Sequence, residues 1–201
     1  MNFDLQAKNY DIDRRVKRAQ IIAEKILSYI TDGDKKSAME YGCGTGLVGL
    51  QLADKFHSVL FMDSSRAMID EVKQKIVGMR NASARYGDLI KTSLLDLRFD
   101  YIFLSLVLHH IKDTETILTR FGKLLHNDGR LLIVDLNKDD GRFHAGEAGF
   151  DGHHGYGHQE LKDLLMKTGF HGVEIQTFYH GERESSGALM HYSLFIAKAE
   201  K

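Results

Sequence analysis

Residues 37–68 constrain the fold of this chain more than any other stretch, because they alternate apolar runs with closely spaced glycines. An apolar run ends at Glu40 and is followed by Gly42, Gly44 and Gly46. Residues with helical spacing come next, and a second apolar run then ends on an acid. This order predicts a strand, a glycine turn, a helix and a second strand with a carboxylate at its end.

The glycine turn predicts a ligand site for physical reasons. Glycine lacks Cβ, so it accepts positive φ angles and lets another group approach the backbone closely. A turn of this kind at the start of a helix directs unpaired N–H groups toward a ligand. Asp63, the acid at the end of the second run, can accept hydrogen bonds from the two hydroxyls of a ribose. The unit therefore predicts a site for a nucleoside-bearing ligand at the carboxyl edge of a parallel sheet.

Two classes of ligand fit these residues. Residues 44–49 spell G-x-G-x-x-G and Asp63 follows, a pattern that with a spacing of about twenty residues is typical of dinucleotide-binding folds. Residues 40–46 also read E-x-G-x-G-x-G, and residues 63–68 read D-x-S-x-x-M. These two segments resemble motif I and the acidic loop of the class I S-adenosylmethionine-dependent methyltransferases.

Further segments extend the resemblance over nearly the whole chain. Residues 3–11 resemble the F-D-x-x-A-x-x-Y-D pattern at the start of many small-molecule members, and residues 87–88 resemble the G-D pair after their third strand. Residues 99–110 resemble the fourth-strand motif, which ends in L-H-H. Residues 125–135 resemble L-x-x-G-G-x-L-x-I-x-D, except that Asp128 replaces the first glycine.

The resemblance implies an α/β fold, a three-layer Rossmann-like sandwich. Its sheet has seven strands in the order 3-2-1-4-5-7-6 and is mostly parallel, with an antiparallel last strand. Residues 11–30 have the period of an amphipathic helix, and the last two apolar segments are typical of a hairpin. We expect a single domain over residues 1–201, with an N-terminal cap region at 1–30. Residues 137–157 are a candidate lid, because they are rich in glycine and histidine and too long for a routine connection.

S-adenosylmethionine is the cofactor that the resemblance implies. Within the family, the acid corresponding to Asp88 accepts a hydrogen bond from the adenine amino group, and the residue corresponding to Met68 covers one face of the ring. The tyrosine corresponding to Tyr10 lies near cofactor and substrate, although packing alone also explains Tyr10 and Met68. The cofactor-binding residues implied are Tyr10, Glu40, Gly42, Cys43, Gly44, Gly46, Asp63, Ser64, Met68, Gly87, Asp88, Leu89 and Ser105.

Histidines are the candidates for acid–base chemistry, because their ordinary pKa lies near neutrality. Methyl transfer is an in-line displacement with a neutral leaving group, for which positioning supplies roughly 7–11 kcal/mol. A general base adds roughly 10²–10⁴-fold, so no fixed catalytic residue is required. We expect His110 and His154 to be catalytic and His109 and His153 to contact substrate. The alternative that all four histidines only shape the pocket stays open.

The histidine-rich region does not predict a metal site. His154 and His158 are four residues apart, but Gly155 and Gly157 between them disfavour a helix that would align the two rings. No compact ligand spacing emerges, and we expect no metal.

Composition and charge limit the classes of molecule that the protein is expected to bind. The formal net charge is −1, which disfavours broad electrostatic attraction to nucleic acid or an anionic membrane. No apolar run is long enough to span a bilayer, and a single cysteine excludes an internal disulfide. Proline is absent, so the N/D-P-P-Y/F motif of nucleic-acid methyltransferases is absent too. We expect a cytoplasmic monomer or homodimer that acts on a small molecule.

Three functions are compatible with the sequence. The favoured one is methyl transfer from S-adenosylmethionine to a small-molecule acceptor. A nicotinamide-dependent oxidoreductase would use the same glycine turn, but the sequence contains no Tyr-x-x-x-Lys hydride-site pattern. A non-catalytic protein that binds S-adenosylmethionine would need the same glycines and acids.

Overall fold

The structure is a computed structural model, and it describes Asp4 and residues 7–91, 97–144, 149–185 and 188–201. The predicted N-terminal cap region and candidate lid therefore lie partly outside the described residues, at positions 1–3, 5–6 and 145–148.

A seven-stranded sheet forms the centre of the molecule, in the order β3-β2-β1-β4-β5-β7-β6. Neighbouring strands from β3 to β5 pair in parallel, whereas β7 is antiparallel to both β5 and β6. The predicted fold and strand order are confirmed. The strands are β1 (Ser37–Tyr41), β2 (Ser58–Asp63), β3 (Ala82–Tyr86), β4 (Phe99–Ser105), β5 (Leu125–Leu136), β6 (His171–Ser185) and β7 (Ala188–Glu200).

Helices cover both faces of the sheet. One apolar cluster joins the first three helices to one face and contains Phe103. A second cluster joins the last two helices to the other face and contains Ile102 and Leu104. Successive strand residues point to opposite faces, so the continuous apolar run of β4 packs on both sides. The helices are α1 (Asp13–Leu27), α2 (Gly49–Leu52), α3 (Arg66–Lys75), α4 (Thr114–Leu124) and α5 (His158–Lys167).

The start of α1 is tied to the glycine turn. The periodic pattern predicts a helix from residue 11, but the helix begins at Asp13, and Asp11 makes tertiary contacts instead of capping it. The carboxylate of Asp11 accepts hydrogen bonds from the Thr45 hydroxyl at 2.5 Å and the Lys75 ammonium at 2.6 Å. These contacts hold the N-terminal segment beside the glycine turn and the end of α3.

Candidate active site

The glycine turn after β1 has the backbone that only glycine adopts readily. Gly42, Gly44 and Gly46 have φ angles of 68°, 54° and 81°, in the left-handed region. A Cβ on Gly42 would overlap the side chain of Val107, which follows β4. The N–H groups of Gly42 and Cys43 both donate to the carbonyl of Met62, at 2.7 and 3.0 Å. The turn is thus held against the ends of two neighbouring strands.

Asp63 closes the turn from the end of β2. Its Oδ2 accepts the N–H of Gly44 at 2.8 Å, and its Oδ1 accepts the N–H of Ser65 at 2.8 Å. Burial raises the pKa of Asp63, while the N–H groups of Ser65 and Gly44 oppose that shift. Each carboxylate oxygen accepts more than one hydrogen bond, so both keep capacity for a ligand hydroxyl.

A cavity of about 520 Å³ opens at the carboxyl edge of the sheet. It reaches from Asp63 and Asp88 on one side to His110 on the other. The predicted site residues that line it are Tyr10, Gly42, Gly44, Asp63, Ser64, Met68, Asp88, Ser105 and His110. Its volume is within the range of small-molecule and cofactor sites.

A second cavity of about 60 Å³ lies on the other side of the turn, toward α1. Arg15 and Arg18 line it together with the predicted residues Glu40 and Cys43. Tyr10, Gly42, Gly44, Ser105 and Leu106 line both cavities. The two spaces therefore flank the same turn.

Glu40, at the end of β1, is an almost fully buried acid, with 2% of its surface exposed. Its Oε2 has no hydrogen-bond partner among the described residues. A Cβ on Gly49 would overlap this oxygen, which explains the glycine at the start of α2. Burial raises the pKa of Glu40 to about 8, the backbone amide of Gly49 opposes this, and the charge of Asp63 adds to it.

The remaining predicted cofactor residues support the residues that line the cavities. Gly46 closes the turn through its N–H bond to the Cys43 carbonyl at 2.9 Å. The N–H of Gly87 donates to the Asp63 carbonyl at 2.9 Å. Leu89 is 1% exposed within the core. None of Gly46, Gly87 and Leu89 belongs to the described lining of either cavity.

His109 is paired with a buried carboxylate. Its Nδ1 lies 2.5 Å from Asp135 Oδ1, and its backbone N–H donates to Oδ2 at 3.2 Å. Asp135 is the second-last residue of β5 and is 0% exposed. Burial alone would raise the pKa of Asp135, but the charge and hydrogen bond of His109 outweigh it, and the pKa is lowered. Because Nδ1 faces a carboxylate, the ring is held in one orientation.

His110 lines the large cavity and packs beside His109, with 4.0 Å between ring centroids. Burial, followed by the charge of His109, lowers the pKa of His110 to about 3. The ring is therefore neutral near pH 7.

The two lid histidines differ from each other. His153 fastens its segment to the region after β4, because its N–H donates to the His109 carbonyl at 2.7 Å and its Nε2 lies 3.2 Å from Thr114 Oγ1. His154 is exposed and lies 5.6 Å from Phe150 between ring centroids. The structure thus brings His109, His110 and the backbone of His153 together, whereas His154 lies at the edge of this group.

Several site residues were missed by the sequence patterns. Tyr41, Ile90 and Lys112 line the large cavity, and Arg15 and Arg18 line the small one. The motif E-x-G-x-G-x-G accepts any residue between Glu40 and Gly42, so it does not predict a role for the tyrosine at position 41. Leu106 has a φ of 57°, a strained value for a residue with a side chain, and such strain clusters at functional sites.

The described residues include no group of three or more His, Cys, Asp or Glu side chains placed to hold a metal ion. Within the same part of the chain, no helix is long and apolar enough to cross a membrane.

Sequence comparison relates the chain to methyltransferases. A family profile described as a methyltransferase domain matches residues 10–175. An uncharacterized methyltransferase of Schizosaccharomyces pombe is 27% identical over 186 residues, covering 83% of this chain and 64% of the relative. Phosphoethanolamine N-methyltransferase 2 of Caenorhabditis elegans is 28% identical over 148 residues, covering 71% of this chain and 33% of the relative. The chain spans less than two thirds of the length of these curated relatives.

Solved structures of low sequence identity share the fold. An S-adenosylmethionine-dependent methyltransferase from Thermotoga maritima matches with a TM-score of 0.75 at 17% identity, covering 99% of this chain and 98% of that one. Phosphoethanolamine N-methyltransferase 2 from Haemonchus contortus, in complex with S-adenosyl-L-methionine, matches with a TM-score of 0.71 at 15% identity, covering 89% of this chain and 52% of that one.

Proposed function

Because the chain belongs to the class I S-adenosylmethionine-dependent methyltransferase family, we propose that it methylates a small-molecule acceptor. The observation that carries the proposal is the position of Asp63, which bonds the Gly44 amide at the point where the large cavity begins. A carboxylate on a glycine turn, beside a cavity of cofactor size, is suited to a ribose.

The residues of both cavities fit the two ends of S-adenosylmethionine. At the nucleoside end, Asp63 and Asp88 supply acceptors for ribose hydroxyls and an adenine amino group. At the amino-acid end, Arg15 and Arg18 supply positive charge for a carboxylate. Glu40 supplies a buried oxygen without a partner, which suits an ammonium group. We therefore assign the large cavity to the nucleoside and the small one to the methionyl end.

When bound, the cofactor supplies an electrophilic methyl group on sulfur. The protein then has to orient an acceptor and take up any proton that the acceptor loses. His110 is a weak proton acceptor at neutral pH, since its pKa is about 3, so we assign it to positioning the acceptor by contact. His109 is the other candidate base, because the contact of its Nδ1 with the carboxylate of Asp135 holds the ring in one orientation.

A calorimetric titration with S-adenosylhomocysteine, with NADH in parallel, tests the cofactor. We expect binding of S-adenosylhomocysteine alone. Asp63→Ala should weaken it at least about tenfold, the effect of losing a charged hydrogen bond, whereas Asp54→Ala, on an exposed side chain of the same charge, should not. Binding of NADH alone would support the oxidoreductase, and an unchanged affinity in Asp63→Ala would remove the role given to Asp63.

Turnover separates an enzyme from a binding protein. Phosphoethanolamine is the first acceptor to try, because one relative carries it in its name, followed by a panel of small amines, phenols and thiols. Formation of S-adenosylhomocysteine that depends on an acceptor supports catalysis. Cofactor binding without turnover on any of them favours a non-catalytic binding protein.

A further inference from the structure

Tyr41, the last residue of β1, connects the glycine turn to the loop that follows β3. Its side chain is buried, with 6% exposed, and packs edge-on against Phe121 at 5.2 Å between ring centroids. The hydroxyl donates to Asp88 Oδ1 at 3.4 Å and accepts the N–H of Leu89 at 3.3 Å. One side chain thus reaches past the end of β2 and holds both the carboxylate and the backbone of this loop.

The two oxygens of Asp88 are used differently. Oδ1 accepts the Tyr41 hydroxyl and the N–H of Ile90, the latter at 2.9 Å. Among the described residues, Oδ2 has the ammonium of Lys91 at 3.5 Å, on a side chain that is 82% exposed. Oδ1 therefore anchors the carboxylate, and Oδ2 keeps capacity for a ligand in the cavity that Asp88 lines.

Tyr41 is suited to this anchoring because it stays protonated. Burial, followed by the charge of Asp88, raises the pKa of the phenol. The hydroxyl therefore keeps its proton at neutral pH and can donate it to the carboxylate of Asp88.

We propose that Tyr41 is a positioning residue that makes the nucleoside site specific for a 6-aminopurine over a 6-oxopurine. The inference rests on the proposed function and adds a residue that the glycine motif does not specify. A carboxylate whose rotation is fixed presents an acceptor without a hydrogen to the base. A 6-amino group donates to that acceptor, whereas a 6-oxo group brings a second acceptor against it and is rejected.

The first test compares S-adenosylhomocysteine with S-inosylhomocysteine, its 6-oxo analogue, by calorimetry. We expect the wild type to prefer the adenosyl compound by at least about tenfold. Tyr41→Phe should weaken adenosyl binding by about 5- to 20-fold, as one hydrogen bond to a charged group is lost, and change inosyl binding by less than about threefold. The preference of Tyr41→Phe for the adenosyl compound should therefore be smaller than that of the wild type.

Tyr101→Phe is the matched control. Tyr101 is also buried and also bonded through its hydroxyl, to Asp32 at 2.7 Å and to Arg130 at 3.1 Å. It is not among the residues that line the large cavity. We expect this variant to keep the wild-type preference, which separates loss of a buried hydroxyl in general from loss of the one at Asp88.

Asp88→Asn provides a second test that leaves the core untouched, since Asp88 lies in a loop and is partly exposed. If Tyr41 and Ile90 anchor the amide oxygen at the Oδ1 position, the amide nitrogen faces the base as a donor. The preference should then reverse toward S-inosylhomocysteine. This variant tests the anchoring of one oxygen even if Tyr41→Phe does not fold, and a preference that does not reverse would overturn the proposal.

The outcomes distinguish the inference from the function on which it rests. A wild type that binds neither compound overturns both. Adenosyl binding with an unchanged preference in Tyr41→Phe overturns the role of Tyr41 alone. Adenosyl binding by the wild type without reversal in Asp88→Asn also overturns it, because the carboxylate would then not be anchored through one oxygen.

Discussion

Glu40→Gln should make the protein more stable at neutral and alkaline pH. Glu40 is buried with an unpaired Oε2, and burial raises its pKa from 4.5 to about 8. Between these two values the folded protein holds a proton that the unfolded chain has released. The free energy of unfolding therefore falls as the pH rises from 4.5 to 8, and this loss is absent when residue 40 carries an amide.

The size of the effect follows from the same interval. At about 1.36 kcal/mol for each pKa unit, a rise from 4.5 to about 8 corresponds to about 5 kcal/mol at most. Because pH 5 to pH 8 covers three pH units, we expect the stability difference between Glu40→Gln and the wild type to grow by about 2–4 kcal/mol between these two pH values. Any fixed cost of fitting the amide cancels in that comparison, because it does not depend on pH.

Urea denaturation of both proteins at pH 5, 6, 7 and 8 measures this difference. Glu24→Gln is the control, since Glu24 lies on the exposed face of α1, and its difference from wild type should not change with pH. If the stability difference between Glu40→Gln and the wild type stays constant within about 1 kcal/mol from pH 5 to pH 8, the reasoning is refuted, because the raised pKa of Glu40 requires a change of at least about 2 kcal/mol. If Glu40 holds the cofactor ammonium, the stabilised variant should also bind S-adenosylhomocysteine more weakly.

Three further predictions concern other parts of the site. Asp135→Ala should lower the free energy of unfolding by about 3–5 kcal/mol in urea titrations, because it leaves His109 without its buried partner; a loss below about 1 kcal/mol would contradict this. Arg15→Met should weaken the binding of S-adenosylhomocysteine at least about fivefold but leave the binding of 5′-methylthioadenosine, which lacks the amino-acid end, unchanged. Arg14→Met, at an exposed position, is the control. Equal losses of affinity for both ligands would contradict the assignment of Arg15 to the methionyl end. Hydrogen exchange of residues 149–157 should slow on adding S-adenosylhomocysteine if they belong to a lid, whereas full protection without ligand would argue against one.

Much of the fold could be predicted because its signals are local. Helical and strand periodicity depends on neighbouring residues, and the positive φ angles of Gly42, Gly44 and Gly46 follow from what glycine alone accommodates. The antiparallel pairing of β6 with β7 followed from two apolar segments joined by a short polar turn. The start of α1 was predicted less accurately, because Asp11 bonds Thr45 and Lys75. Both partners are distant in sequence, so local periodicity does not reveal these contacts.

The glycine turn, the acid after β2 and the family were thus determined by the sequence by itself, whereas only the tertiary structure decided what each polar side chain does. The pairs His109–His110 and His153–His154 look equivalent in the sequence. Folding sets His109 against Asp135, 26 residues away, and lowers the pKa of His110 to about 3. It fastens His153 to Thr114 and leaves His154 exposed. The reason is physical: burial and charged neighbours set a pKa and a partner, and residues far apart in the chain supply both.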